Sequence, residues 1–317
     1  MRRLSVFSLL WLAVVAAAGP ANAQSSEPVP PNPAPPPDAY VSDSETIPTL
    51  RKVGSRGFYV LEGMFAEFDP DHPSVEIWTP DDRPDAPVMV YAHGGAGFRD
   101  DDRARVEMFR RNGFATISFD SYEMNGFDDW NFVTRRVANS GKQQMIWGVY
   151  KGAVAYAAKS ARWDGRNIVL YGGSNGARVV LYAGSAIQNE RIRAIIAEAP
   201  AGSGFALGDY DIPTIIPFGA LDTWAGKFDT DYVWQRTYPG SPISIEDWVR
   251  ERQAMQRPIR LVFYENAGHL FFEGPLEKVS VRRGDRVAFT AYQGAADGVL
   301  DQYKQDVIAF AEANLSP

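Results

Sequence analysis

The 317-residue chain contains no cysteine. That absence removes disulfides, thiolate metal sites, redox pairs and cysteine nucleophiles together. Histidine is almost as scarce: His72, His93 and His269 are the whole supply, scattered too widely for a ligand cluster, so neither a metal nor another cofactor is expected. A surplus of positive charge is also missing. The formal net charge is −7, which gives no overall basic field to attract nucleic acid or an anionic membrane. Nor is there an apolar run of the roughly 20 residues that a spanning helix needs.

The longest apolar run, Val6 to Ala18, follows Arg2 and Arg3 and precedes the small-residue site Ala21-Asn22-Ala23. This order describes a secretory signal peptide over residues 1–23, cut after Ala23. Retention as an anchor is the alternative. Removing Arg2 and Arg3 with the leader takes the net charge from −7 to −9, and no stable membrane insertion is expected afterwards. The leader is of bacterial type, so the chain is expected to be periplasmic or secreted. Residues 24–45 are rich in proline, densest from Pro28 to Pro37. Such a stretch favours extended polyproline II over packed structure and reads as a spacer.

From residue 46 to 317 the texture is that of one globular domain. Strand-like runs begin at Val75, Val88, Ala115, Ile168, Ile192, Thr214 and Ile259, each apolar and rich in β-branched or aromatic residues. Helical periods lie between them. Ile146, Val149, Tyr150, Ala153 and Ala157 share one helix face, and Val299, Tyr303, Val307 and Phe310 share another near the C-terminus. Alternation of this kind predicts the α/β class, a mostly parallel central sheet with helices on both faces. Two stretches break it: Thr223 to Arg257, with a short helix expected after Ser244, and a hairpin expected from Lys278 to Thr290.

The strand at Ile168 runs into Gly172-Gly173-Ser174-Asn175-Gly176, and a helical run follows from Ala177. In an open α/β sheet reactive groups collect at the carboxyl ends of strands. A G-x-S-x-G segment between strand and helix lifts the serine hydroxyl above the sheet, and the glycines remove Cβ atoms that would clash in so sharp a turn. Ser174 is thus a candidate nucleophile, against the plainer reading of a small residue in a glycine-rich turn. A nucleophilic serine needs a base. His72 lies in the turn Asp69-Pro70-Asp71-His72-Pro73, and His93 opens His93-Gly94-Gly95-Ala96-Gly97 after a strand. His269, in a loop after the strand at Ile259, is the candidate base. The carboxylate that holds its tautomer should fall between serine and histidine at a strand end. Asp222 meets that condition; Asp229 and Asp231 follow within a few residues as alternatives. The main-chain N–H groups of Gly95 or Ala96 and of Asn175 are the candidate oxyanion hole, with His93 orienting the loop.

Together, Tyr91-Ala92-His93-Gly94-Gly95, Phe119-Asp120-Ser121-Tyr122, the Ser174 turn, Phe218-Gly219-Ala220-Leu221-Asp222 and Tyr264-Glu265-Asn266-Ala267-Gly268-His269 resemble the α/β-hydrolase fold. More narrowly they resemble the dienelactone hydrolase family, from about Val75 to the C-terminus. The resemblance implies Ser174 as nucleophile, Asp222 as acid and His269 as base. One departure bears on substrate: dienelactone hydrolases proper carry cysteine at the nucleophile, so the dienelactone itself does not carry over.

The expected function is hydrolysis of a small-molecule carboxylic ester. A serine peptidase of prolyl-oligopeptidase type and a non-catalytic binding protein on the same scaffold are the alternatives. Phe98, Tyr122, Trp130, Trp224, Phe228, Trp234 and Phe271 are candidates to line an acyl or aryl pocket, or to pack loops onto the sheet. Arg99, Arg103 and Arg178 read as surface salt-bridge partners, with contact to a substrate carboxylate as the alternative. Asp100-Asp101-Asp102 reads as a solvated helix start.

Overall fold

The computed structural model describes residues 48–53, 58–81, 83, 85–163, 166–201, 207–223, 234–235, 242–243, 245–283 and 286–316. The leader at 1–23, the linker at 24–45, Trp224, Phe228, Asp229, Asp231 and Ser244 lie outside them, as does the side chain of Trp234.

The strands in chain order are β1 (Thr49–Val53), β2 (Phe58–Glu62), β3 (Val75–Trp78), β4 (Val88–Ala92), β5 (Ala115–Phe119), β6 (Ile168–Gly173), β7 (Ile192–Glu198), β8 (Thr214–Gly219), β9 (Trp234–Gln235), β10 (Pro242–Ile243), β11 (Ile259–Tyr264), β12 (Glu277–Arg283) and β13 (Arg286–Gln293). The helices are α1 (Asp100–Arg111), α2 (Ser121–Met124), α3 (Trp130–Arg136), α4 (Asn139–Lys159), α5 (Asn175–Ala186), α6 (Ile245–Ala254) and α7 (Val299–Ala313). No helix among the described residues is long and apolar enough to cross a membrane.

All seven strands expected from the sequence join one sheet in the order β11-β8-β7-β6-β4-β5-β3. Every pairing in it is parallel except that of β3 with β5. The central strands are buried along their whole length, as strands covered on both faces must be. Their side chains divide by the two-residue period. Val88, Val90, Ile168 and Leu170 pack with α4, α5 and α6 on one face. Met89, Tyr91, Val169 and Tyr171 pack with α1 and α7 on the other.

The expected hairpin at 278–290 forms as β12 and β13. β1 with β2, and β9 with β10, form two-stranded sheets of their own. α2 and α3 begin at Asp120 and Asp129, whose carboxylates each accept two main-chain N–H groups at the helix start. The first turn of α1 is less solvated than its three aspartates suggest. Asp102 is buried, accepting from the Arg99 N–H at 2.9 Å and from the Tyr91 hydroxyl. Burial, with Asp101 alongside, raises its carboxyl to about 6.

Candidate active site

β6 ends in the middle of the sheet, and the chain must reverse at once to lay α5 back on β4 and β7. Ser174 takes this turn at φ 53°, a conformation in which a non-glycine residue is strained. The turn closes only because its neighbours lack side chains. A Cβ on Gly176 would sit 2.1 Å from the Ala92 carbonyl oxygen, and one on Gly172 would sit 2.4 Å from the Gly176 carbonyl carbon. The Ser174 N–H donates to the Glu198 carbonyl at 2.9 Å, and its own carbonyl accepts from Arg178 and Ala201. Asn175 opens α5, so its N–H has no acceptor within the helix.

The loop after β4 runs against this turn. A Cβ on Gly94 would lie 3.7 Å from Ser174 Cβ, and one on Gly95 would lie 2.5 Å from Asn175 Nδ2. His93 is buried beneath the loop. Its Nε2 accepts the Ser121 N–H at 3.1 Å, so the ring hydrogen is on Nδ1, which donates to the Gly94 carbonyl at 2.7 Å. His93 therefore orients the loop through Ser121 and Gly94, the role expected of it. Tyr122 and Thr134 donate their hydroxyls to the Gly95 carbonyl at 3.2 and 3.4 Å, so the N–H of the same trans peptide, that of Ala96, points away from them.

His269 reaches Ser174 from across two strands. Its Nε2 lies 3.0 Å from Ser174 Oγ, and its Nδ1 lies 2.9 Å from Asp222 Oδ2. All three side chains are buried. Because an ionised carboxylate only accepts, Nδ1 carries the hydrogen and Nε2 offers its lone pair to the serine hydroxyl. Asp222 and the His269 loop are joined by main chain. Leu221 N–H donates to the Ala267 carbonyl, Ala220 N–H to that of Tyr264, both at 2.9 Å. The β12–β13 hairpin supplies the other wall, its Tyr292 carbonyl accepting the His269 N–H at 2.7 Å. Burial opposes charging of the His269 ring, but Asp222, with smaller contributions from Glu273 and Glu198, outweighs it and raises the pKa above 6.5. Glu273, four residues on, is itself raised to about 7 by burial.

His72 remains in its turn, bonded to Ser74. Among the candidate lining residues, Tyr122 and Phe271 are buried supports of the loops, while Trp130 is 44% exposed with the Arg99 guanidinium 5.2 Å over its ring. Arg103 pairs with Glu76. Arg178 is buried, not at the surface, and burial lowers its guanidinium to about 9. Three neighbours of the site escaped the sequence. Gln143 Nε2 donates to Asn175 Oδ1 at 2.9 Å and to the Ala201 carbonyl at 3.1 Å. Glu198 and Arg105 form a buried ion pair beside β6. For Glu198 and Arg105 the only signal was polarity between apolar sequence neighbours; Gln143, between Lys142 and Gln144, gave none. A concavity of about 410 Å³ between β11 and α7 includes none of Ser174, Asp222 and His269. No group of three or more acidic or histidine side chains that could hold a metal occurs among the described residues.

No family model matches the sequence, and no curated protein does. Solved structures do resemble the fold. A putative dienelactone hydrolase from Klebsiella pneumoniae is 14% identical, with a TM-score of 0.51 over 84% of this chain and 98% of that one. A dienelactone hydrolase-like promiscuous phosphotriesterase from metagenomic libraries is 13% identical, with a TM-score of 0.51 over 76% of this chain and 92% of that one. The seven-stranded sheet, the sharp turn at Ser174 and these likenesses together identify the architecture as a dienelactone hydrolase-like α/β-hydrolase fold.

Proposed function

We propose that this chain is an exported serine hydrolase that cleaves a small-molecule carboxylic ester through an acyl-enzyme on Ser174. The observation that carries the reading is the buried relay from Ser174 Oγ to His269 Nε2 at 3.0 Å and from His269 Nδ1 to Asp222 Oδ2 at 2.9 Å. His269 takes the hydroxyl proton as Oγ attacks the ester carbonyl carbon. The oxyanion that forms accepts from the N–H of Asn175 and from that of Gly95 or Ala96. Collapse of the tetrahedral intermediate breaks the ester C–O bond, and His269 returns its proton to the departing alkoxide. Water then repeats the sequence on the acyl-enzyme, with His269 again as base, releasing the carboxylic acid and free Ser174. Asp222 accepts the Nδ1 hydrogen and stabilises the imidazolium formed at each stage.

The test is release of p-nitrophenol from acetyl, butyryl and longer acyl esters by the chain and by Ser174→Ala. Removing a nucleophile of this kind costs about 10⁶-fold in kcat in a well-studied serine hydrolase, so a loss of at least roughly 10³-fold is expected here. Equal, near-background release from both proteins would sink the ester reading. Cleavage of peptide but not ester substrates would assign the same residues to a peptidase.

A further inference from the structure

Acyl transfer as written leaves a buried charge cluster behind the site without a part. Glu198 closes β7, which lies between β6 with its Ser174 turn and β8 with its Asp222 loop. Its carboxylate is fully buried and accepts five hydrogen bonds. Arg105 donates through Nε at 2.8 Å and Nη2 at 2.9 Å. The hydroxyls of Tyr171 and Tyr303 each donate at 2.8 Å. The fifth donor is the main-chain N–H of Phe271, at 2.9 Å.

Phe271 is two residues past His269, and Leu270 between them sits at φ 54°. The left-handed backbone there needs something outside the loop to hold it. The Glu198 carboxylate does so, and the Glu198 carbonyl accepts the Ser174 N–H at 2.9 Å. One residue therefore grips the serine through its main chain and the histidine loop through its side chain. Arg105 is equally buried and is held in turn by Asp101 at 2.8 Å. A buried ion pair is weak evidence for stability alone, because both ions give up hydration. What this pair holds in place is the better guide to its part.

We propose that Glu198, backed by Arg105, is a positioning residue that fixes the His269 loop so that the imidazole stays within reach of Ser174 Oγ. The proposal rests on Ser174 being the nucleophile and His269 its base. The probe is a fluorophosphonate, which phosphonylates an activated serine whatever its natural substrate. Two paired variants keep the charges balanced. Glu198→Leu with Arg105→Leu removes the acceptor of the Phe271 N–H, whereas Glu198→Gln with Arg105→Gln retains an amide oxygen for it.

The leucine pair is expected to label Ser174 on the order of 100-fold more slowly than wild type, the size of effect that a displacement of about 1 Å produces. Its ester kcat, per active site counted by burst titration, should fall in parallel with little change in KM. The glutamine pair should recover most of the rate. Wild-type labelling by the leucine pair, or equal losses in both pairs, overturns the proposal. Should the pairs fail to fold, Glu198→Asp keeps the charge but shortens the side chain by one methylene and draws the acceptor back from the Phe271 N–H; slower labelling supports the proposal and a wild-type rate overturns it. A wild-type chain that is phosphonylated at Ser174 yet hydrolyses no ester sinks the ester reading and leaves this test standing. A chain that does neither sinks both.

Discussion

A raised pKa at His269 has a direct consequence for rate. Only the neutral ring can take the Ser174 proton, so kcat/KM should climb with pH and level off once His269 is deprotonated. Burial works against the charged ring, and Asp222, Glu273 and Glu198 overcome it, so the midpoint of this acid limb should fall above 6.5. Glu273 loses its own proton near 7 and then helps to hold the imidazolium. Glu273→Gln should therefore move the limb to lower pH. A wild-type midpoint at or below 6.5, or a limb unmoved in the variant, would contradict this account. Individual residues differed in how far the sequence betrayed them. Ser174, Asp222 and His269 each follow a strand end, where a local rule applies, and the structure brings the three together. Glu198 and Arg105 are 93 positions apart, and nothing near either names the other. Asp102 is buried rather than solvated for a related reason. A run of three aspartates looks solvated until Tyr91, from a neighbouring strand, is placed over one of them.

At the scale of elements, the turn from β6 into α5 is set by what its glycines can tolerate. A methyl group at Gly176 would press on the carbonyl oxygens of Ala92 and His93 at 2.1 and 2.5 Å, and main chain in a sheet does not give way. At Gly173 the nearest atom is the tip of the Leu270 side chain at 3.2 Å, which can turn aside. Gly176→Ala should thus cost about 2 kcal/mol or more, several degrees in Tm, and most of the activity. Gly173→Ala should be clearly milder in thermal denaturation; equal losses of stability would show that the turn is not limited by this contact. The strands of the sheet were legible because each is a short apolar run with turn residues on both sides. α2 and α3, of four and seven residues, are too short to show a helical period. β1 carries Arg51 and Lys52 side by side, so no alternation marks it, and its pairing with β2 is visible only in the fold.

For the molecule as a whole, alternating strands and helices gave the class, but no pattern in the chain states the order of strands in the sheet. That order decides the chemistry. It sets β6 at the centre with β7, β8 and β11 in succession beside it, so that His269 must cross two strands to reach Ser174 and Glu198 falls between them. Where the molecule works is a separate question, carried by the first 23 residues. Their apolar run of about 13 residues is short of the roughly 20 that span a bilayer, and the small residues at Ala21 and Ala23 suit a signal peptidase. Without cysteine, export can change neither a disulfide nor a thiol. Expressed with its own N-terminus in a bacterial host, the chain should be recovered outside the cytoplasm with Gln24 as its first residue, as intact mass and N-terminal sequencing would show. A chain that keeps residues 1–23 and sediments with membranes would make the run an anchor. One that stays in the cytoplasm beginning at Met1 would end the export reading while leaving the chemistry at Ser174 as it stands.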